Sequence, residues 1–168
     1  CYILSSKDEG ETWTIGPSNA YKGCDESKLE QLNDGRLMVS VRQSGDRGFN
    51  TGTADASQWS SQWRNSQITG NACNADILYF SRATEGKMDI LLHTYIKSSS
   101  RENLTLAMSI DQGLTWHDVL NIQPGGSCYS TMIKLANDDL AILYEDESYS
   151  VGNGYALNFV TITREQLE

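Results

Sequence analysis

The sequence predicts an all-β chain built from repeated four-stranded antiparallel sheets, in the manner of a β-propeller. Three observations carry this. Apolar runs are strand-sized and separated by turn residues. Only two prolines interrupt the chain, and no long stretch has helical periodicity. An octamer also repeats: Ser6-Lys-Asp-Glu-Gly-Glu-Thr-Trp13 returns as Ser109-Ile-Asp-Gln-Gly-Leu-Thr-Trp116, both S-x-D-x-G-x-T-W. A shorter copy, Thr53-Ala-Asp-Ala-Ser-Gln-Trp59, lies between them. Asp8, Asp55 and Asp111 thus recur about every 50 residues, the length of one propeller blade.

Each element has a local reason. Lys28–Leu32 and Arg36–Arg42 flank Asn33-Asp34-Gly35 and form a predicted hairpin. Ile77–Ser81 and Asp89–Tyr95 flank a turn at Thr84–Lys87, and Tyr129–Leu135 and Leu140–Glu145 flank Asn137–Asp139. Leu104–Ser109 and Tyr155–Thr163 add strands, and Arg164–Glu168 reads as a short helical turn or a frayed tail. In the octamer, Asp accepts backbone N–H groups in a tight turn, Gly supplies the positive φ, and Trp packs under the hairpin. Its aspartates are therefore expected to be structural.

Composition narrows the function. A net charge of −9 argues against nucleic-acid binding, which needs a basic surface. It does not exclude an anionic ligand, provided a few arginines converge in one pocket. No apolar run is long enough to span a bilayer. Cys1, Cys24, Cys73 and Cys128 form no C-x-x-C pair, and neither His93 nor His117 is near a cysteine, so no metal site or cofactor is predicted. Most of the four are expected to be free buried thiols. Cys1-Tyr-Ile-Leu4 reads as a strand already under way, with no initiator Met or signal segment before it, so the chain is expected to be a piece of a larger protein.

The octamer resembles the Asp box of sialidases, which also occurs in sortilin-type receptors, some polysaccharide hydrolases and photosystem assembly factors. The box alone does not assign a function. The residues between the boxes do more. Asp25-Glu26-Ser-Lys-Leu-Glu-Gln-Leu-Asn-Asp-Gly-Arg-Leu37, ending in Arg42, is similar to the sialidase stretch bearing the catalytic Glu. Arg101-Glu-Asn-Leu-Thr-Leu106 resembles the segment of the last triad arginine. Gly125-Gly-Ser-Cys-Tyr129-Ser130 resembles the nucleophile segment, and Ile142-Leu-Tyr-Glu145 the strand after it. The resemblance implies a six-bladed propeller, of which residues 1–168 supply about three blades as the C-terminal part of the catalytic domain.

The implied activity is a retaining exo-α-sialidase acting on terminal sialic acids of glycoconjugates. A sialic acid carries a carboxylate on its anomeric carbon, so a carboxylate nucleophile would meet electrostatic repulsion. Sialidases with a tyrosine nucleophile are a recognised exception to the two-carboxylate rule. By the resemblance, Tyr129 is the nucleophile and Glu26 its base, since a phenol with pKa ~10 needs one. Arg42 and Arg101 bind the substrate carboxylate through their planar forks. Glu145 orients a third arginine. That arginine and the acid/base Asp have no match here, so the fragment alone is expected to be inactive. Its partners are then sialylated glycans and the upstream half of the same propeller, and the full protein is secreted, periplasmic or on the cell surface.

Blander readings remain for each residue. Tyr129 could be a core aromatic, Arg42 and Arg101 solvated strand ends, and Trp59, Trp63 and Tyr95 blade core rather than a sugar platform. Glu30 shares a strand face with Glu26 if the strand is regular, and the resemblance implies Glu26, whose spacing to Arg42 matches the family. Two other functions compete: a non-catalytic Asp-box propeller for binding or assembly, and a neutral-polysaccharide hydrolase, which would need facing carboxylates and no arginine cluster.

Overall fold

The computed structural model describes residues 1–84, 88–147 and 154–167. They form twelve strands: β1 (Leu4–Ser5), β2 (Thr14–Ile15), β3 (Ser27–Gln31), β4 (Leu37–Val41), β5 (Gly45–Gly52), β6 (Trp63–Gly70), β7 (Ile77–Ser81), β8 (Ile90–Ile96), β9 (Glu102–Ser109), β10 (His117–Lys134), β11 (Leu140–Asp146) and β12 (Ala156–Ile162). A single 3₁₀ turn at Arg164–Gln166 is the one helical element among the described residues. It is short, and no described helix is long and apolar enough to cross a membrane.

The pairing is antiparallel throughout. β1 pairs with β2, β3 to β6 form a four-stranded sheet in chain order, and β7 to β12 form a six-stranded one. The six-stranded sheet is continuous because one 18-residue strand serves both halves. The first part of β10 pairs with β9, from His117↔Met108 to Gly126↔Glu102. The second pairs with β11, from Ser127↔Asp146 to Lys134↔Leu140. Pro124-Gly125-Gly126 marks the changeover, where proline has no N–H to give a ladder. Gly126 is required there, since a Cβ would stand 2.7 Å from Glu147 Cβ.

The sheets curl into stacked layers, which makes the fold propeller-like. β8 is buried at every position because both of its faces are covered. Leu91 and Tyr95 join Phe49, Ile68 and Trp116 in a core against the four-stranded sheet. Ile90 and Leu92 join Met132, Leu140, Ile142 and Ile162 in a second core against the far half of their own sheet. In the first core the Phe49 ring stacks on Trp63 and Trp116 at 5.9 and 6.0 Å between centroids. Such pairs contribute about 0.5–1.5 kcal/mol beyond area burial. Trp63 and Tyr95 are therefore core residues, and Trp59 lies against Gly52, where a Cβ would meet its ring at 2.7 Å.

The repeated octamers have the same hydrogen bonds. Ser6 Oγ donates to Asp8 Oδ1 at 2.7 Å, Gly10 N to Ser6 Oγ at 2.8 Å, Thr12 N to Asp8 Oδ1 at 2.9 Å and Trp13 Nε1 to Gly10 O at 3.0 Å. Ser109, Asp111, Gly113, Thr115 and Trp116 reproduce all four at 2.8, 2.8, 2.9 and 3.1 Å. The glycines take φ of +95° and +83°, as the turn needs. At the shorter copy Asp55 caps the turn through Thr53 and Ser57, but Trp59 Nε1 is buried without a partner. Boxes join β1 to β2, β5 to β6 and β9 to β10.

Three sequence expectations need comment. Cys1 and Cys24 are joined as a disulfide, so only Cys73 and Cys128 are free buried thiols. The bond forms because Ala20 N donates to Cys1 O and Gly16 N to Ile3 O, which folds the first residues back along 16–24. The hairpin turn expected at Thr84–Lys87 falls largely on residues 85–87, outside the described residues. Strands β5 and β6 were not expected, because glycines and polar residues break their patterns.

Candidate active site

At the end of the sheets opposite the boxes, chain connections bring five predicted site residues to one region. Glu26 precedes β3 and Arg42 follows β4, so they face each other at the open end of one hairpin, where Arg42 N donates to Glu26 O at 2.8 Å. Arg101 precedes β9. Tyr129 lies on the second part of β10 and Glu145 on β11. A register shift between Ser127 and Ser130 falls at Cys128, which is buried in the core, and Tyr129, which is partly buried against it. Bulges commonly re-aim side chains.

Three of the five meet through their side chains. Tyr129 Oη donates to Glu26 Oε1 at 3.2 Å, Arg42 Nη1 donates to Glu26 Oε2 at 2.7 Å, and Arg42 Nη1 lies 3.2 Å from Tyr129 Oη. Arg42 Nε is buried without a hydrogen bond and faces the Asp25 carboxylate at 3.6 Å. The hydrogen bond to Glu26 chiefly raises the Arg42 pKa above its usual value, against the opposing effect of burial. Arg42 is thus a fixed cation beside the phenol oxygen.

Arg101 stands over the Tyr129 ring, its guanidinium carbon 5.8 Å from the centroid. Its Nη1 donates to Tyr155 Oη at 3.1 Å, and this bond is the largest cause raising the Arg101 pKa. Glu145 Oε2 accepts the backbone N–H of Tyr129 at 3.2 Å. Tyr129 and Glu145 share a cavity of about 210 Å³ with Lys28, Thr131 and Tyr144. Glu30 is drawn away, accepting Tyr79 N at 2.9 Å, and so leaves Glu26 as the carboxylate at the phenol.

Sequence reasoning passed over two supports. Asp76, almost fully buried, accepts Ile77 N, Met132 N and Thr131 Oγ1 at 3.0, 2.7 and 2.9 Å and so fastens the Tyr129 strand to the start of β7. Tyr155 braces Arg101. Neither lies in a motif; a lone Asp just before the apolar run 77–81 was the only signal for the first. No cluster of three or more potential metal-ligating side chains occurs among the described residues.

Residues 2–142 match the BNR repeat-like domain family. The sialidase of Micromonospora viridifaciens is 31% identical over 147 residues, covering 83% of this chain and 23% of that protein. The sialidase of Bacteroides fragilis is 24% identical over 153 residues, covering 85% of this chain and 28% of that protein. Among solved structures, the NanB sialidase of Streptococcus pneumoniae superposes with a TM-score of 0.79 at 19% identity, over 98% of this chain and 27% of that one. The Trypanosoma rangeli sialidase gives 0.78 at 23% identity, over 99% and 28%. The chain belongs to the BNR-repeat proteins and, within them, to the bacterial sialidase family. It spans about a quarter of the length of the curated relatives it matches.

Proposed function

We propose that this chain is the C-terminal, nucleophile-bearing part of the catalytic propeller of a retaining exo-α-sialidase. The observation that carries this reading is the triangle of Tyr129, Glu26 and Arg42, with contacts of 3.2, 2.7 and 3.2 Å. Glu26 takes the phenol proton as Tyr129 Oη attacks the anomeric carbon, and the bond to the leaving-group oxygen breaks. An aryl glycoside of Tyr129 results. Water then displaces the phenolate and gives a proton to the base form of the upstream acid, Glu26 returns its proton to the phenolate, and two inversions give net retention. A neutral phenol approaches the anomeric centre without the repulsion a carboxylate nucleophile would meet. Arg42 and Arg101, both beside the same tyrosine, bind the substrate carboxylate.

In this reading a third arginine, steadied by Glu145, and the acid that protonates the leaving group come from upstream segments. The substrates are sialylated glycans met outside the cell or at its surface. The chain contributes about three of six blades over residues 1–168. Two uncovered apolar surfaces support such neighbours. Ile133, Leu143, Leu157 and Phe159 are exposed on one face of β10–β12. Ile3, Leu4, Ile15, Leu29 and Leu37 line a cleft of about 700 Å³ between the β1–β2 pair and the four-stranded sheet.

The test follows hydrolysis of an α-sialoside by the full-length protein with proton NMR. Free α-sialic acid should appear before mutarotation. First release of the β anomer would overturn the tyrosine mechanism. Absence of any turnover would leave a non-catalytic propeller.

A further inference from the structure

Directly behind Tyr129, the Cys73 and Cys128 sulfurs lie 3.6 Å apart with both side chains almost fully buried. Their surroundings are Ile96, Leu104, Ile122, Tyr129 and Tyr144. Cys73 sits in the connection from β6 to β7, and Cys128 is the residue before Tyr129. We propose that Cys73 and Cys128 are a dithiol–disulfide couple whose oxidation ties the β6–β7 connection to the strand of Tyr129 and changes the placement of its phenol.

Three features of the surroundings support it. The two segments are already held together, since Asp76 on the Cys73 side accepts Met132 N and Thr131 Oγ1 on the Cys128 side. Bond formation therefore needs the sulfurs to close to about 2.05 Å, with little movement of the chain. The chain also holds a disulfide at Cys1–Cys24, so conditions that form that bond act on this pair as well. Lastly, Cys128 is flanked by the two amides that hold site residues: Ser127 N donates to Arg101 O at 2.9 Å and Tyr129 N to Glu145 Oε2 at 3.2 Å. A shift of Cys128 passes directly to both.

The oxidant is a small-molecule disulfide such as glutathione disulfide. The Cys128 thiol attacks it and releases one glutathione thiol. Cys73 then attacks the mixed disulfide at the Cys128 sulfur and releases the second. One disulfide bond is exchanged for another, and the two thiol protons end on the two glutathiones. Burial pushes the Cys128 thiol up to about 12 and raises Cys73 too, so exchange proceeds through local opening and is slow in the closed state.

The full-length protein is equilibrated with reduced or oxidised glutathione, alkylated after denaturation and mapped by mass spectrometry without reduction. Oxidation should produce a peptide cross-linked through Cys73 and Cys128, and backbone hydrogen exchange over residues 127–132 should slow at least tenfold. Recovery of both residues as alkylated thiols after oxidation overturns the couple. A cross-link that leaves exchange over 127–132 unchanged overturns its action on Tyr129. The functional arm rests on the hydrolase reading: turnover of a fluorogenic sialoside should fall at least tenfold on oxidation and stay constant in Cys73→Ala. Mass and exchange are read without turnover, so a failure of the sialidase reading is distinguished from a failure of the couple.

Discussion

Tyr129 Oη and Glu26 Oε1 meet at 3.2 Å across 103 residues of sequence, and Arg42 contacts both partners. The hairpin β3–β4 supplies the carboxylate and the cation as a facing pair, and the bulged β10 supplies the phenol. The arrangement makes the three groups one unit. Tyr129→Phe and Glu26→Gln in the full-length protein should each lower kcat on a fluorogenic sialoside by roughly 10²–10⁴-fold, the range of a lost general base. The double variant should be little worse than either single one. Steady-state kinetics beside circular dichroism is the check. Wild-type kcat in Tyr129→Phe would remove the tyrosine from the mechanism.

Arg101 offers a contrast, because it lies over the ring of Tyr129 at 5.8 Å from the centroid and donates to the hydroxyl of Tyr155. Its proposed work is substrate binding. Arg101→Lys keeps the charge and loses the fork, so KM for a sialoside should rise about tenfold or more, as expected for loss of a bidentate contact of ~1.5–3 kcal/mol. Tyr155→Phe, which removes only the brace, should raise KM less. Equal KM values in all three proteins would place the carboxylate elsewhere.

His93 gives a prediction in pH. Arg47 Nε donates to Ser40 Oγ at 2.9 Å, and Ser40 Oγ and His93 Nε2 share a hydrogen bond of 2.7 Å. The His93 ring is fully buried. Burial first, then the Arg47 charge, hold its pKa well below the usual value. A histidine depressed in the folded state stabilises the protein fully above the unfolded pKa of ~6.5, and that contribution is lost progressively as pH falls below it. The melting temperature should drop between pH 7 and 5. His93→Gln, which keeps a hydrogen-bonding group for Ser40 and cannot ionise, should flatten that drop. A wild-type curve already flat over this window would show that His93 does not titrate on unfolding.

Much of the fold was legible because its local chemistry is self-contained. Asn33-Asp34-Gly35 announces the β3–β4 hairpin, and each octamer closes its turn with its own side chains. β5 and β6 were illegible for the opposite reason: their buried polar residues also rely on partners elsewhere in the chain. Arg47 donates to Ser40 and to Cys73 O, and Asn50 to Ala20 O. The first part of β10 was missed because its exposed residues show no alternation. At the candidate site, residue types and order came from the family resemblance, and their convergence is a property of the assembled sheets. Asp76 and Tyr155 act through groups 55 and 54 residues away, which no local pattern encodes.

The two full octamers should differ in what they contribute to stability. Both aspartates accept the same bonds, but Trp116 is buried against Phe49 while Trp13 is 62% exposed beside a two-residue strand pair. For Asp111, burial alone would raise the pKa, and the Thr115 and Ser109 hydrogen bonds outweigh it and hold the carboxyl below its usual value. Asp111→Ala removes the acceptor for Thr115 N, Thr115 Oγ1 and Ser109 Oγ, and should destabilise by about 1.5–3 kcal/mol, the range for a hydrogen bond to a charged group. Its denaturant midpoint should fall while the slope stays constant. Asp8→Ala loosens a turn whose tryptophan is largely in solvent, so its midpoint should move less in this chain. Because both folded carboxyls are depressed, Asp8 to about 2, their contribution is present above an unfolded pKa of ~3.9 and is lost as pH falls towards the folded value. Acid titration of the wild type against Asp111→Asn should therefore show the gap between them narrowing below pH ~4. A gap constant to pH 2 would mean that the turn holds Asp111 no better charged than neutral.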